Sequence, residues 1–233
     1  MKQDICKIKH LPAVIWGDAS DTVVIAAHGN LSSKTDEPIG LLAQCAQERG
    51  WQVLSFDFPE HGDRKEEGTV CLAQTCVAEL NIILDYAKTR WEHLMLFANS
   101  MGAYFSLLAY QHAPLERAWF LSPVVDMERQ IENLMAACDV TPEQLRAAGT
   151  IPTPFGQTLI WDYYDYVRAN PVTKWPVPTS ILCGSADDFS GVTAITDFAW
   201  KNGCALAVMD PGEHWFHTPE QLEYYVNWLG ETM

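Results

Sequence analysis

Short apolar runs alternate with helix-patterned stretches along nearly the whole of this 233-residue chain, and that alternation leaves few folds open. "DTVVIAA" (21–27), "WQVLSFDF" (51–58), "HLMLFAN" (93–99), "RAWFL" (117–121), "VPTSILCG" (177–184) and "CALAVMD" (204–210) read as buried strands. They are rich in β-branched and aromatic residues and too short for helices. Between them, "EPIGLLAQCAQERG", "MGAYFSLLAYQH", "SGVTAITDFAWKNG" and "TPEQLEYYVNWL" carry apolar residues at three- and four-residue steps. The stretch from Val70 does the same through Ala73, Val77, Leu80, Leu84 and Ala87. Thr218, Pro219 and Gln221 form a capping box with proline at the first helical position. Repeated β-α units predict an α/β fold, a mostly parallel sheet of about eight strands with helices on both faces. The opening "DICKIKHLPAVIW" adds an antiparallel hairpin at one edge.

One connection is out of scale. Roughly fifty residues separate the strand ending near Leu121 from the one starting near Val177, far beyond an ordinary crossover. "MERQIENLMAACD" is amphipathic, "TPEQLRAAG" carries a second capping box from Thr141 to Gln144, and "GQTLIWDYYDYVRAN" is rich in aromatics. The expected organisation is a core of residues 1–124 and 174–233 with a helical cap, residues 125–173, inserted between the sixth and seventh strands. Helices packed along the side of the sheet are the alternative.

Charge narrows the function. A net charge of −15, with 15 scattered Lys and Arg, argues against nucleic acid and anionic membrane surfaces, both of which repel such a chain. No run approaches the ~18 apolar residues of a membrane span, and the first residues lack the apolar core of a signal peptide. Seven cysteines without C-x-x-C spacing read as reduced thiols of a cytoplasmic protein, not a zinc site or a disulfide framework.

In a parallel α/β sheet the strand C-termini share one edge, and ligands bind there. Ser100, His28 and Asn30, Asp57 and His61, Asp126, Asp187 and Asp188, and His214 and His217 all fall just after predicted strands. A serine hydroxyl needs a base to activate it and a third group to orient the base. The order Ser100, Asp187, His214 is one in which such residues occur. With "HGN" (28–30), "DFPEHGDR" (57–64), "ANSMG" (98–102), "GSADD" (184–188) and "GEHWF" (212–216), each at a strand end, the chain resembles the α/β-hydrolase superfamily over essentially its whole length. It is most similar to small cytoplasmic serine esterases with a helical cap. Ala98 stands where the usual G-x-S-x-G elbow has glycine; the turn needs small residues there, and alanine is the next smallest.

The resemblance implies Ser100 as nucleophile, His214 as base and Asp187 as acid, with Asp188 and Asp126 as the other candidate acids and His217 as the other base. It places the oxyanion hole at the backbone N–H groups of Met101 and Asn30, with no metal or organic cofactor. The insertion's aromatics Phe155, Trp161 and Tyr164 are expected to line an acyl or aryl pocket, or else to pack the cap. The implied substrate is a small or medium acyl or aryl ester. A peptide, amide or thioester hydrolase is an alternative, with Glu132, Asp162 or Asp165 available to bind an amine. A catalytically silent binding protein is another. Oligomeric state is left open.

Overall fold

The computed structural model describes residues 1–233. The chain opens on the expected hairpin, β1 (Gln3–Ile8) and β2 (Leu11–Trp16), then alternates: β3 (Thr22–Ala27), α1 (Glu37–Glu48), β4 (Gln52–Phe56), α2 (Ala73–Lys88), β5 (His93–Asn99), α3 (Met101–Tyr110) and β6 (Arg117–Leu121). The insertion holds α4 (Met127–Ala137), α5 (Pro142–Ala148), β7 (Thr150–Pro152), β8 (Thr158–Ile160) and α6 (Trp161–Ala169). The core resumes with β9 (Thr179–Gly184), α7 (Val192–Asn202), β10 (Ala205–Met209) and α8 (Pro219–Thr232).

Eight strands form one sheet in the order β1-β2-β4-β3-β5-β6-β9-β10. Only the β1–β2 and β2–β4 pairs are antiparallel; the rest are parallel. The strand order explains where a ligand can sit. From β3 the chain crosses to β4 on one side and returns to β5 on the other, so the connections leaving β3 and β5 diverge and open a crevice beyond their C-terminal ends. Ala27 and Ala98 are partners in the β3–β5 register, which brings His28-Gly29-Asn30 and Ser100 to the same end of the sheet.

Both faces are covered, as continuous apolar strands require. Leu80, Ile83, Phe105 and Ile195 pack α2, α3 and α7 on one face. Ile39, Leu42, Tyr225, Trp228 and Leu229 pack α1 and α8 on the other. Both expected capping boxes form, Thr141 with Gln144 and Thr218 with Gln221. The insertion is not wholly helical. Its middle is the antiparallel ribbon β7–β8, turning at Gly156 with φ +82°. Strands of three residues are too short to leave a periodic pattern, which is why the sequence gives no sign of them.

The loop after β4 carries a buried ion pair. The Arg64 guanidinium grips the Glu79 carboxylate of α2 with two bonds, 2.7 and 2.9 Å, and both side chains are almost wholly buried. Arg64 keeps Glu67 on its Nε, but removing Glu79 takes the carboxylate from the two buried terminal nitrogens. Glu79→Ala is therefore expected to lower stability by about 3–5 kcal/mol in urea denaturation; a loss below ~1 kcal/mol contradicts this.

Candidate active site

Ser100 lies on the turn between β5 and α3, with φ +50° and ψ −117°, a conformation that strains an L-residue. Neighbours hold it there. Its N–H donates to the Leu121 carbonyl, and its own carbonyl accepts from Val124 and Ala103. The turn is possible because its flanks are small: a Cβ at Gly102 would stand 2.4 Å from the His28 carbonyl oxygen. Ala98 is fully buried within β5 and carries its methyl without disturbing the turn.

His214 and Asp187 come from the loops after β10 and β9. The Ser100 Oγ is 2.9 Å from His214 Nε2, and His214 Nδ1 is 2.9 Å from Asp187 Oδ2. All three are buried. A carboxylate can only accept here, so the Nδ1–H donates to it, and the Nε2 lone pair faces the serine hydroxyl. The second carboxylate oxygen, Oδ1, accepts the N–H groups of Phe189 (3.1 Å) and Ser190 (2.8 Å), which fixes the acid against rotation. The two loops lie in backbone contact: a Cβ at Gly184 would meet the Gly212 carbonyl oxygen at 2.1 Å. The N–H groups of Ser185 and Ala186 donate to Met209 and Gly212, tying the loops together.

Beside the serine, the N–H groups of Met101 and Asn30 donate to no protein atom. Asn30 is anchored through its side chain, whose Oδ1 lies 3.1 Å from His61 Nε2. Asp57 anchors the rest of that loop. It accepts from the Lys34 N–H at 2.8 Å and from the Lys34 ammonium. Gly62, φ +52°, leaves room for this carboxylate, since a Cβ there would overlap it. A cleft of about 160 Å³ opens over Ser100, lined by Gly29, Asn30, Asn99, His214 and Trp215 among others, with Asp36 and Glu37 in its wall. Trp215 and Phe189, both substantially exposed, flank the His214 ring with centroids 5.2 and 4.9 Å away. No group of three or more His, Cys, Asp or Glu side chains is placed to hold a metal ion, and no helix is long and apolar enough to cross a membrane.

No family model and no curated protein matches this sequence. Solved structures do match it. Est1E from Butyrivibrio proteoclasticus, in a complex with ferulic acid, superposes with a TM-score of 0.79 at 20% identity, covering 98% of this chain and 96% of that one. Alpha/beta hydrolase domain-containing protein 10 from mouse gives 0.81 at 13% identity, with 99% and 98% covered. The Pyrococcus furiosus esterase Pf2001 gives 0.73 at 20% identity, with 99% and 89% covered.

The chain has the α/β-hydrolase fold. In that fold the insertion lies between the sixth and seventh strands of the main sheet, β6 and β9. The other candidate acids lie elsewhere: Asp188 is exposed, and Asp126 caps α4 by accepting from the Arg129 N–H. His217 is exposed and donates to the Trp215 carbonyl. Phe155, Trp161 and Tyr164 are expected either to line a pocket or to pack the insertion, and none of the three lines the cleft over Ser100. Tyr164 is buried with Met135, Leu145 and Leu159 in the insertion's own small core, Trp161 packs against that core, and the Tyr164 hydroxyl donates to Glu132. Phe155 is exposed at the β7–β8 turn. An insertion this small needs its aromatics to fill its own interior. Sequence reasoning missed Ser190, which orders the acid and whose Oγ lies 3.4 Å from His214 Nδ1. It also missed the Phe189–Trp215 pair. Their positions beside Asp187 and His214 were the available clue.

His28 gives the hydrolase-fold core a pH signature. Its ring is buried, with Nδ1 donating to the Gly29 carbonyl and Nε2 accepting from the Phe58 N–H. Burial pulls its pKa down to about 4. The unfolded chain takes up this proton near pH 6.5, whereas the folded protein resists it until about pH 4, so the stability from the neutral ring is present above the unfolded value and lost as pH falls. Folding stability is expected to drop by about 3 kcal/mol between pH 6.5 and 4 from this group. His28→Gln should flatten that segment of a denaturation-versus-pH series; an unchanged slope contradicts the assignment.

Proposed function

We propose that the protein is a serine hydrolase that cleaves a small or medium acyl or aryl carboxylic ester. The observation that carries this reading is the buried Ser100–His214–Asp187 relay, two bonds of 2.9 Å on a strained elbow. The Nε2 of His214 takes the hydroxyl proton as Oγ attacks the acyl carbonyl, and the Asp187 carboxylate stabilises the resulting imidazolium. The Met101 and Asn30 N–H groups, which have no other partner, are offered to the oxyanion, each worth about 3 kcal/mol in the transition state. His214 then protonates the leaving alcohol. Water enters in its place, His214 removes its proton, and the acyl group leaves as the acid. Every proton in the cycle moves through His214, so the cycle runs on the chain's own groups.

The cleft argues for a compact substrate. Its volume of about 160 Å³ is near that of a cavity that takes up a single benzene. Trp215, in the cleft wall beside His214, offers an apolar surface for an aryl or alkyl group. The carboxylates of Asp36 and Glu37 disfavour a substrate that itself carries negative charge. The test is a substrate panel on the wild-type protein: p-nitrophenyl acetate, butyrate and octanoate, methyl ferulate, an acyl-thioester and an aminoacyl anilide. The expected result is fastest turnover on the short acyl or the aryl ester, and at least about tenfold slower turnover on octanoate. Preferential cleavage of the anilide or the thioester replaces the ester reading with one of those bonds, and a protein inert on every probe contradicts it.

A further inference from the structure

A second cluster of reactive side chains lies where the loop after β4 meets the first turn of α2. The sulfurs of Cys71 and Cys76 are 3.6 Å apart. Cys76 is fully buried on α2, its N–H bonded to the Leu72 carbonyl. Cys71 is only half-buried and lies outside the helix, its N–H donating to the Glu60 carboxylate. One sulfur is thus fixed on a helix and the other is carried by a loop. An approach of about 1.5 Å brings them to the ~2.05 Å of a disulfide. None of the other five cysteines has a thiol within hydrogen-bond reach.

The pair adjoins the loop that carries Asn30, and His61 is the link. Its Nδ1 lies 2.7 Å from the Pro59 carbonyl and its Nε2 lies 3.1 Å from Asn30 Oδ1. The ring donates from Nδ1 to the Pro59 carbonyl and meets the Asn30 amide at Nε2, so it fastens the Asn30 side chain to the loop after β4. Cys71 is bonded into the same loop through Glu60, the residue before His61. The Cys76 thiol donates to the Cys71 sulfur and, against the effect of burial, His61 helps to bring the Cys71 thiol down to about 6. His61 is raised despite its burial, chiefly by the same Cys71 sulfur. Burial and the neighbouring Cys71 push the Cys76 thiol well up. The half-buried, loop-borne Cys71, whose thiol is held down, is the nucleophile of the pair, and the buried Cys76, whose thiol is pushed up, is the resolving partner, the arrangement that oxidant-sensitive sites require.

We propose that Cys71 and Cys76 are an oxidant-responsive dithiol, closed to a disulfide by a hydroperoxide, and that closure loosens Asn30 through His61. The Cys71 thiolate attacks a peroxide oxygen; the O–O bond breaks, a sulfenic acid forms, and the leaving hydroxide takes a proton to become water. The Cys76 sulfur then attacks the sulfenyl sulfur; the S–S bond forms, the S–O bond breaks, and the oxygen leaves as water with the Cys76 proton. Two thiols lose two electrons and the peroxide gains them. The Cys71 N–H is bonded to the carboxylate of Glu60, the residue before His61, so drawing the Cys71 sulfur about 1.5 Å toward Cys76 pulls on the segment that holds the His61–Asn30 bond. The Asn30 N–H, offered to the oxyanion in the proposed mechanism, then loses its side-chain anchor.

The test uses the reduced protein, treated with a few equivalents of hydrogen peroxide, alkylated and digested. The expected result is a fall from seven alkylatable thiols by two, a recovered peptide pair linking Cys71 to Cys76, and full reversal by dithiothreitol. Cys71→Ser should lose no further thiol. By NMR, the titration midpoint of His61 should fall on closure. Ester turnover should drop several-fold and return with dithiothreitol. Persistence of all seven thiols under excess peroxide, or loss mapping to other cysteines, overturns the dithiol. Closure that leaves both the His61 midpoint and turnover unchanged overturns its coupling to Asn30. Only the turnover arm rests on the proposed hydrolase activity; a reduced protein inert on esters fails that reading, while the thiol count and the His61 titration still decide this one.

Discussion

Ser100→Ala is expected to cut kcat on the best ester by about 10,000-fold or more, with the melting temperature within a few degrees of wild type. The oxygen it deletes makes one hydrogen bond, to His214, and no other group in the protein depends on it. Alanine meets the same backbone strain at φ +50°, so the elbow keeps its shape. The free Met101 and Asn30 N–H groups and the cleft walls survive in the variant, and substrate affinity should change little. Residual turnover should come only from water attacking within the cleft. Steady-state kinetics with active-site titration measures this, and a variant with more than about a tenth of wild-type kcat removes Ser100 from the mechanism.

The second large effect concerns the acid. Asp187→Asn is expected to lower kcat by about 1,000- to 10,000-fold. The amide keeps the size of the carboxylate, and its oxygen can go on accepting from the Phe189 and Ser190 N–H groups. Its NH2 group then faces His214 Nδ1. It donates where the carboxylate accepted, so the ring is driven to the tautomer with its proton on Nε2, and no lone pair remains for the Ser100 hydroxyl. Asp188→Asn, at an exposed carboxylate, should stay within about twofold of wild type. Asp126→Asn should do the same for turnover, because an asparagine caps α4 about as well. Comparable losses at Asp188 or Asp126 would reassign the acid.

The core of the fold was readable because its strands are continuous apolar runs and its helices carry a regular stripe; both signals are local and strong. The edge hairpin was readable for the same reason. The ribbon β7–β8 was not, since three-residue strands leave no period to detect. The meeting of Ser100, Asp187 and His214 followed from one topological fact, that parallel strands deliver their following loops to a single edge. Chain order then separated these residues from their neighbours. What sequence could not do was tell a pocket from a core. Tyr164 and Trp161 looked like ligand-facing aromatics because an aromatic-rich helix has the same composition whether its rings meet a substrate or Met135 and Leu145. Ser190 escaped notice because its contact with His214 is distant in sequence, and His61, visible as a residue after a strand, hid its contact with Asn30 for the same reason.

The relay makes a direct demand: among the serines of this chain, only Ser100 should be nucleophilic. Incubation with a small fluorophosphonate, followed by intact-mass and peptide analysis, tests this without knowledge of the substrate. One adduct per chain is expected, on the peptide containing Ser100, and it should disappear in His214→Ala. No adduct under excess reagent, or an adduct on any other residue, would contradict this expectation.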